Sequence, residues 1–206
     1  IKQVFNKNPK NDQGLTPLHL AASKGHFEIC DLILKNTNDK NPKNKYGLTP
    51  LDVAARLEHI QIFQLIFDQV EIKNPKLKTG NTLLHHFADR GLTEICIFMV
   101  DKLEEKHPID DFGSTPLHVA ARCGHVEVCK FFSLILKEEN PKNSKGVTPL
   151  HVAAEHDQLE VCKYLCSNLQ EKNPKDDNGK TPLDNAWSNK HGKVLHFLIA
   201  ENNFKI

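Results

Sequence analysis

The sequence predicts an all-α solenoid of stacked helix pairs, with turn-and-loop fingers protruding from them. Three periodic features carry this prediction through 206 residues. Thr16-Pro17-Leu18-His19 returns as Thr49-Pro50-Leu51-Asp52, Thr82-Leu83-Leu84-His85, Thr115-Pro116-Leu117-His118, Thr148-Pro149-Leu150-His151 and Thr181-Pro182-Leu183-Asp184, each 33 residues after the last. Pro9, Pro42, Pro75, Pro108, Pro141 and Pro174 keep the same period, as do Gly14, Gly47, Gly80, Gly113, Gly146 and Gly179. A unit this short cannot bury its apolar face alone and must stack on its neighbours.

Residues 11–43 show how one unit is built. Thr16 is a helix N-cap, and Pro17 fits the first helical position, where its missing N–H costs nothing. The helix is short, running to about Lys24, and the small Ala21-Ala22 pair lets adjacent units approach closely. Gly25 then ends it. A second helix follows with Phe27, Ile29, Cys30, Leu32, Ile33 and Leu34, a wide apolar stripe suited to a layer buried on both sides. Between Pro42 and Thr49, the segment from Lys43 to Leu48 turns at Gly47 and should project as a finger, free to vary on a rigid scaffold.

Period and motif together resemble the ankyrin repeat, whose signature is Thr-Pro-Leu-His-x-Ala at 33 residues. Leu20-Ala21-Ala22, Val53-Ala54-Ala55, Val119-Ala120-Ala121 and Val152-Ala153-Ala154 complete the phrase, and Gly25-His26 and Gly124-His125 follow it. The resemblance implies one domain over 1–206, with repeats at about 11–43, 44–76, 77–109, 110–142, 143–175 and 176–206. It also implies a non-catalytic module that binds a protein or peptide on the concave face formed by finger tips and first helices. His19, His85, His118 and His151 are expected to tie the motif to the neighbouring loop.

The chain departs from the family pattern at the end of the second helix, where a Gly is usual. Here the residues are Thr37, Val70, Leu103, Leu136 and Leu169. Without that stop, the helices are expected to run on through Leu103 to Lys106 and Leu169 to Lys172, until Pro108 or Pro174 disfavours helical geometry. Ile1 aligns with Leu34, so residues 1–10, with Ile1, Val4 and Phe5, read as the remnant of a preceding repeat. Trp187 falls where earlier repeats have a packed Ala; with Asn185, Ser188, Asn189 and Lys190 it reads as a polar cap. Repeat three lacks the Pro and places Phe87 where its neighbours have Ala, which calls for local spreading or a bend.

Composition excludes more than it identifies. The formal net charge of +1 gives no global drive toward nucleic acid or membrane, and no aromatic platform accompanies the lysines. No apolar stretch approaches the roughly 20 residues a spanning helix needs. Cys30, Cys96, Cys129 and Cys162 share one core position about 10 Å apart along a stack, too far for disulfides. Reduced thiols and the absence of Asn-x-Ser/Thr sequons point to a reducing compartment, cytoplasm or nucleus. Gly179-Lys180-Thr181 lacks the second Gly of a phosphate loop, since Pro174 stands there. Cys162 with Cys166, and Cys123 with His125, lack the paired spacing of a zinc site. No catalytic constellation, cofactor or metal is expected.

The expected contact surface draws on finger tips and first-helix ends: Tyr46, Leu48, Arg56 and Leu57 in repeat two, Arg90 in repeat three, and Ile109, Phe112, Arg122 and Cys123 in repeat four. Aromatic and Arg side chains dominate interface hot spots. Ile109 and Phe112 have a second reading, as packing between fingers. The ladder Lys10, Lys43, Lys76, Lys142 and Lys175, with Lys45 and Lys78, is read as solvated surface or as an attractor for an acidic partner. The chain is expected to be monomeric or part of something longer. The alternative function is a targeting or regulatory arm of a larger channel, kinase or host-directed effector.

Overall fold

The computed structural model describes residues 8–71, 74–76, 80–135 and 140–202. Ile1, Val4, Phe5, Lys78 and Leu136 lie outside the described residues. Contacts divide the chain between residues 73 and 74 into two compact units. The first holds α1 (Pro17–Ser23), α2 (Phe27–Asn36), α3 (Pro50–Arg56) and α4 (Ile60–Gln69). The second holds α5 (Leu83–Asp89), α6 (Thr93–Lys102), α7 (Pro116–Cys123), α8 (Val126–Ile135), α9 (Pro149–Glu155), α10 (Leu159–Asn168), α11 (Pro182–Ser188) and α12 (Gly192–Glu201). Within each unit, short first helices pack in one row and longer second helices in another. Strand is absent among the described residues apart from an isolated bridge between Lys76 and Thr82.

Each first helix starts at a Thr held in extended geometry, as at Thr16 with φ −94° and ψ 166°. In four repeats the fourth motif residue is His, and its Nδ1 accepts the Thr backbone N–H, at 3.1 Å for Thr16 and His19. Asp does the same at Thr49–Asp52 and Thr181–Asp184, with Oδ2 accepting at 2.9 and 2.8 Å. Residues before the conserved Pro add a second cap. Asn41 Oδ1 accepts from Leu51 N at 3.1 Å, and Asn74 and Asn173 repeat the bond to Leu84 and Leu183. These bonds satisfy helix N-terminal donors that have no partner inside the helix. Before Pro108 this position holds His107, whose Nδ1 is buried with no hydrogen-bond partner among the described residues.

The second helices do not run on as expected. Leu103 and Leu169 leave α6 and α10 in extended geometry, with ψ near 141° and 137°. Both are buried, as is Thr37 after α2. Each side chain stays on the core in this extended geometry, and burying a Leu is worth about 2 kcal/mol. Lys106 and Lys172 are therefore in the connecting segments.

The Ala layers are fully enclosed, with Ala22, Ala54, Ala55, Ala88, Ala120, Ala121, Ala153 and Ala154 at 0% exposure. Phe87 is equally buried, while α5 starts without Pro yet keeps the Thr82–His85 capping box. Trp187, at the register position of Ala154, is 70% exposed. Glu58, Asp157 and Lys190 hold φ of 57°, 58° and 61° where other repeats use Gly25, Gly91 and Gly124. At Gly124 φ is 79°, and a Cβ would fall 2.2 Å from Gln158 Oε1, so a larger residue there would be strained and would displace the end of that side chain.

Candidate functional site

The fingers that begin at Asn11, Asn44, Asp110, Asn143 and Asp176 are Asx turns. Asn44 Oδ1 accepts the backbone N–H of Tyr46 at 2.8 Å and of Leu48 at 3.0 Å. Asp110 holds Phe112 and Ser114 in the same way, both at 2.8 Å, and Asn143 holds Lys145 and Val147 at 2.9 and 3.1 Å. The tip residue uses its backbone to close the turn, so its side chain is left to project. Neighbouring fingers join by one backbone bond: Lys45 N to Gln13 O at 3.1 Å in the first unit, and Ser144 N to Phe112 O at 3.0 Å and Asp177 N to Lys145 O at 3.1 Å in the second. Gly113, at φ 74°, allows that approach, because a Cβ there would lie 2.8 Å from Ser144 N.

The motif histidines fasten these fingers to the helices. His118 Nδ1 accepts from Thr115 N at 3.1 Å, so the proton sits on Nε2 and is donated to Val147 O at 3.0 Å in the next repeat. His19, His85 and His151 make the corresponding bonds to Leu48 O, Ser114 O and Lys180 O. Burial pushes the His118 pKa down to about 4, only partly opposed by the bond to Val147, and it lowers His19, His85 and His151 as well. These rings are neutral structural ties.

Between repeats four and five of the second unit, finger and first helix enclose a groove of about 510 Å³. Phe112, Val119, Val147 and Val152 give it an apolar surface, and Arg122, Lys145 and Glu155 are among its polar lining residues. Arg122 is held in place by Asp89 at 2.7 Å, and Cys123 Sγ donates to the same Asp89 oxygen at 3.2 Å. Burial works against the Asp89 charge, but hydrogen bonds from Cys123 and Arg122 and the guanidinium charge outweigh it and hold the carboxyl below its usual range. The thiol of Cys123 is pushed up, first by burial and then by Asp89, so it stays protonated.

The sequence-derived residues divide between the units. Phe112 and Arg122 come together in the groove. Phe112 is 62% and Ile109 56% exposed, more than packing between fingers would leave. Arg90 is exposed and Cys123 half-buried, and neither lines the groove. Tyr46, Leu57 and Arg56 are exposed and Leu48 half-buried, all on the first unit. Val119, Val147, Val152, Lys145 and Glu155 line the same groove and were missed by sequence reasoning; of these, Lys145 and Glu155 stand one 33-residue period after Phe112 and Arg122.

Part of the lysine ladder has structural work. Lys10 Nζ donates to Lys43 O at 3.1 Å, Lys142 Nζ to Lys175 O at 3.4 Å, and Lys76 pairs with Asp111 at 2.6 Å. Cys96 and Cys129 are buried free thiols pushed up to about 12 by desolvation. Among the described residues no group of three or more His, Cys, Asp and Glu is placed to hold a metal, and no helix is long and apolar enough to cross a membrane.

A sequence profile described as ankyrin repeats (3 copies) matches residues 1–76, 68–135 and 131–206. The chain belongs to the ankyrin repeat family. An ankyrin repeat domain from Acinetobacter baumannii AYE shares the fold, with TM-score 0.70 and 22% identity over 90% of this chain and 97% of its own. No curated protein matches the chain. Ankyrin repeats are in general non-catalytic modules for protein interaction.

Proposed function

We propose that this ankyrin chain is a non-catalytic interaction module that takes a protein or peptide segment in the groove of its second unit. The observation that carries this reading is the convergence of Phe112, three valines and an oriented Arg122 on one open recess. Apolar lining with a few placed polar groups is what a binding cleft requires, and aromatic and Arg anchors supply most interface energy. The Arg122 side chain is pre-ordered by Asp89, which reduces the ordering cost on binding. Tyr46, Leu48, Arg56 and Leu57 form a second, separate contact patch on the first unit. The free thiols fit work in a reducing compartment, cytoplasm or nucleus.

Affinity capture with the intact chain, repeated with paired substitutions, tests this reading. Phe112→Ala with Arg122→Ala should weaken the captured partner by at least about 2 kcal/mol, while Lys142→Ala with Lys175→Ala should mainly change association rate and salt dependence. Greater loss from the lysine pair at physiological salt, with both variants folded, would move the contact away from the groove.

A further inference from the structure

We propose that the face shared by repeats one and two takes an acidic peptide segment carrying large apolar side chains, separate from the segment held by the groove. This rests on reading Tyr46, Leu48, Arg56 and Leu57 as a contact patch and adds the chemistry of its occupant. The first two repeats are joined as repeats four and five are. Lys45 N bonds Gln13 O at 3.1 Å as Ser144 N bonds Phe112 O at 3.0 Å, and His19 and His118 reach Leu48 O and Val147 O at 3.1 and 3.0 Å. Side chains three periods apart therefore stand in equivalent places. Val119, Lys145 and His156 of the groove become Leu20, Tyr46 and Leu57, which are 49%, 73% and 50% exposed.

The carboxylates change in the same register. Asp110 and Glu155 line the groove, and their equivalents in the first unit are Asn11 and Arg56. Cations surround the apolar side chains instead. Lys45 is exposed next to Tyr46 on the finger, Arg56 ends α3 next to Leu57, and Lys10 Nζ comes to the same finger by donating to Lys43 O at 3.1 Å. Among the described residues Lys43, Lys45 and Arg56 are in no ion pair. The exposed carboxylates on these fingers and first-helix ends are Asp12 and Glu58, fewer than the cations, while Asp52 has its Oδ2 occupied by Thr49. Covering the exposed apolar side chains supplies affinity, and the unmatched cations choose the sign of the partner and speed its approach. A basic segment would be repelled, and an acidic one without apolar residues would leave Leu20, Tyr46 and Leu57 in water.

Fluorescence polarisation with labelled, terminally blocked peptides tests the inference, using the cores Asp-Glu-Leu-Phe-Asp-Glu, Lys-Arg-Leu-Phe-Lys-Arg, Asn-Gln-Leu-Phe-Asn-Gln and Asp-Glu-Ser-Asn-Asp-Glu between Gly-Ser flanks. At low ionic strength the acidic apolar core should bind about tenfold more tightly than each of the others, and salt should narrow its margin over the neutral core. Tyr46→Ser with Leu57→Ser should bring it down to the level of the acidic core that lacks apolar residues. Lys45→Glu with Arg56→Glu should make the basic core the tightest ligand, with circular dichroism showing both variants folded. If the acidic, basic and neutral apolar cores bind equally and the serine pair releases all of them, the contact patch stands and its charge selection falls. Equally tight binding of the acidic core without apolar residues reduces the face to a general attractor of anions and overturns the inference, as does binding that neither variant changes. Failure of every core to bind the folded chain overturns the contact patch together with the inference.

Discussion

Repeats one and two and repeats four and five are built alike and present different chemistry. In both pairs a His donates across to the next finger, His19 to Leu48 O and His118 to Val147 O, and in both the fingers share a backbone bond. The positions that line the groove in the second unit, Phe112, Val119, Arg122, Lys145, Glu155 and His156, correspond in the first to Gln13, Leu20, Ser23, Tyr46, Arg56 and Leu57. The first unit therefore sets Tyr46 and two exposed leucines around a single Arg; the second sets Phe112 and smaller valines among charges of both signs. The difference teaches that the scaffold fixes where side chains stand, while their chemistry changes at a handful of positions, most of them exposed.

If the scaffold is shared, it should respond to the same insults, and the largest should come from acid. The His118 ring has a pKa of about 4 when folded against 6.5 unfolded, so the unfolded chain binds the proton more readily between those values. The stability from neutral His118 is complete above pH 6.5 and is lost as pH falls, by about 1.4 kcal/mol per unit. The second unit has three such rings, His85, His118 and His151, and the first unit has His19 alone in this role. Denaturant titrations from pH 7 to pH 4.5 should show the second unit losing more, and His118→Asp, using the residue of repeats two and six, should flatten the slope. A slope unaffected by that substitution would remove the ring from this account.

A smaller effect sharpens the comparison from inside. Ala54 and Ala153 occupy one register position and both are fully buried. Ala54→Leu and Ala153→Leu should each destabilise by about 1 to 3 kcal/mol, since added methylenes have nowhere to go. Thermal or chemical denaturation giving a large cost in one and none in the other would show that the two units are packed differently beneath their surfaces.

Local rules made much of this legible in the sequence. Thr16-Pro17 fixes a helix start whatever surrounds it, and the recurrence of His19 signals its bridging role once the family is recognised. Trp187 in an Ala register foretells an exposed ring. What escaped was tertiary. Leu103 and Leu169 leave their helices in extended geometry while staying buried, and nothing in local propensity says so. Asn41 and its equivalents read as loop residues until Leu51 N is found within reach. The groove escaped for a like reason, because its depth depends on how closely the fingers of repeats four and five approach, which Gly113 permits but does not announce.

The central claim, that the partner occupies the second unit's groove, is tested most directly by methyl chemical-shift mapping of labelled protein with its captured partner. The methyl resonances of Val119, Val147 and Val152 should shift or broaden at saturation, and Phe112→Ala with Arg122→Ala should abolish the change. If the partner instead perturbs Leu20, Leu48 and Leu57 and leaves those valines unmoved, the site belongs to the first unit and the groove is not where this chain binds.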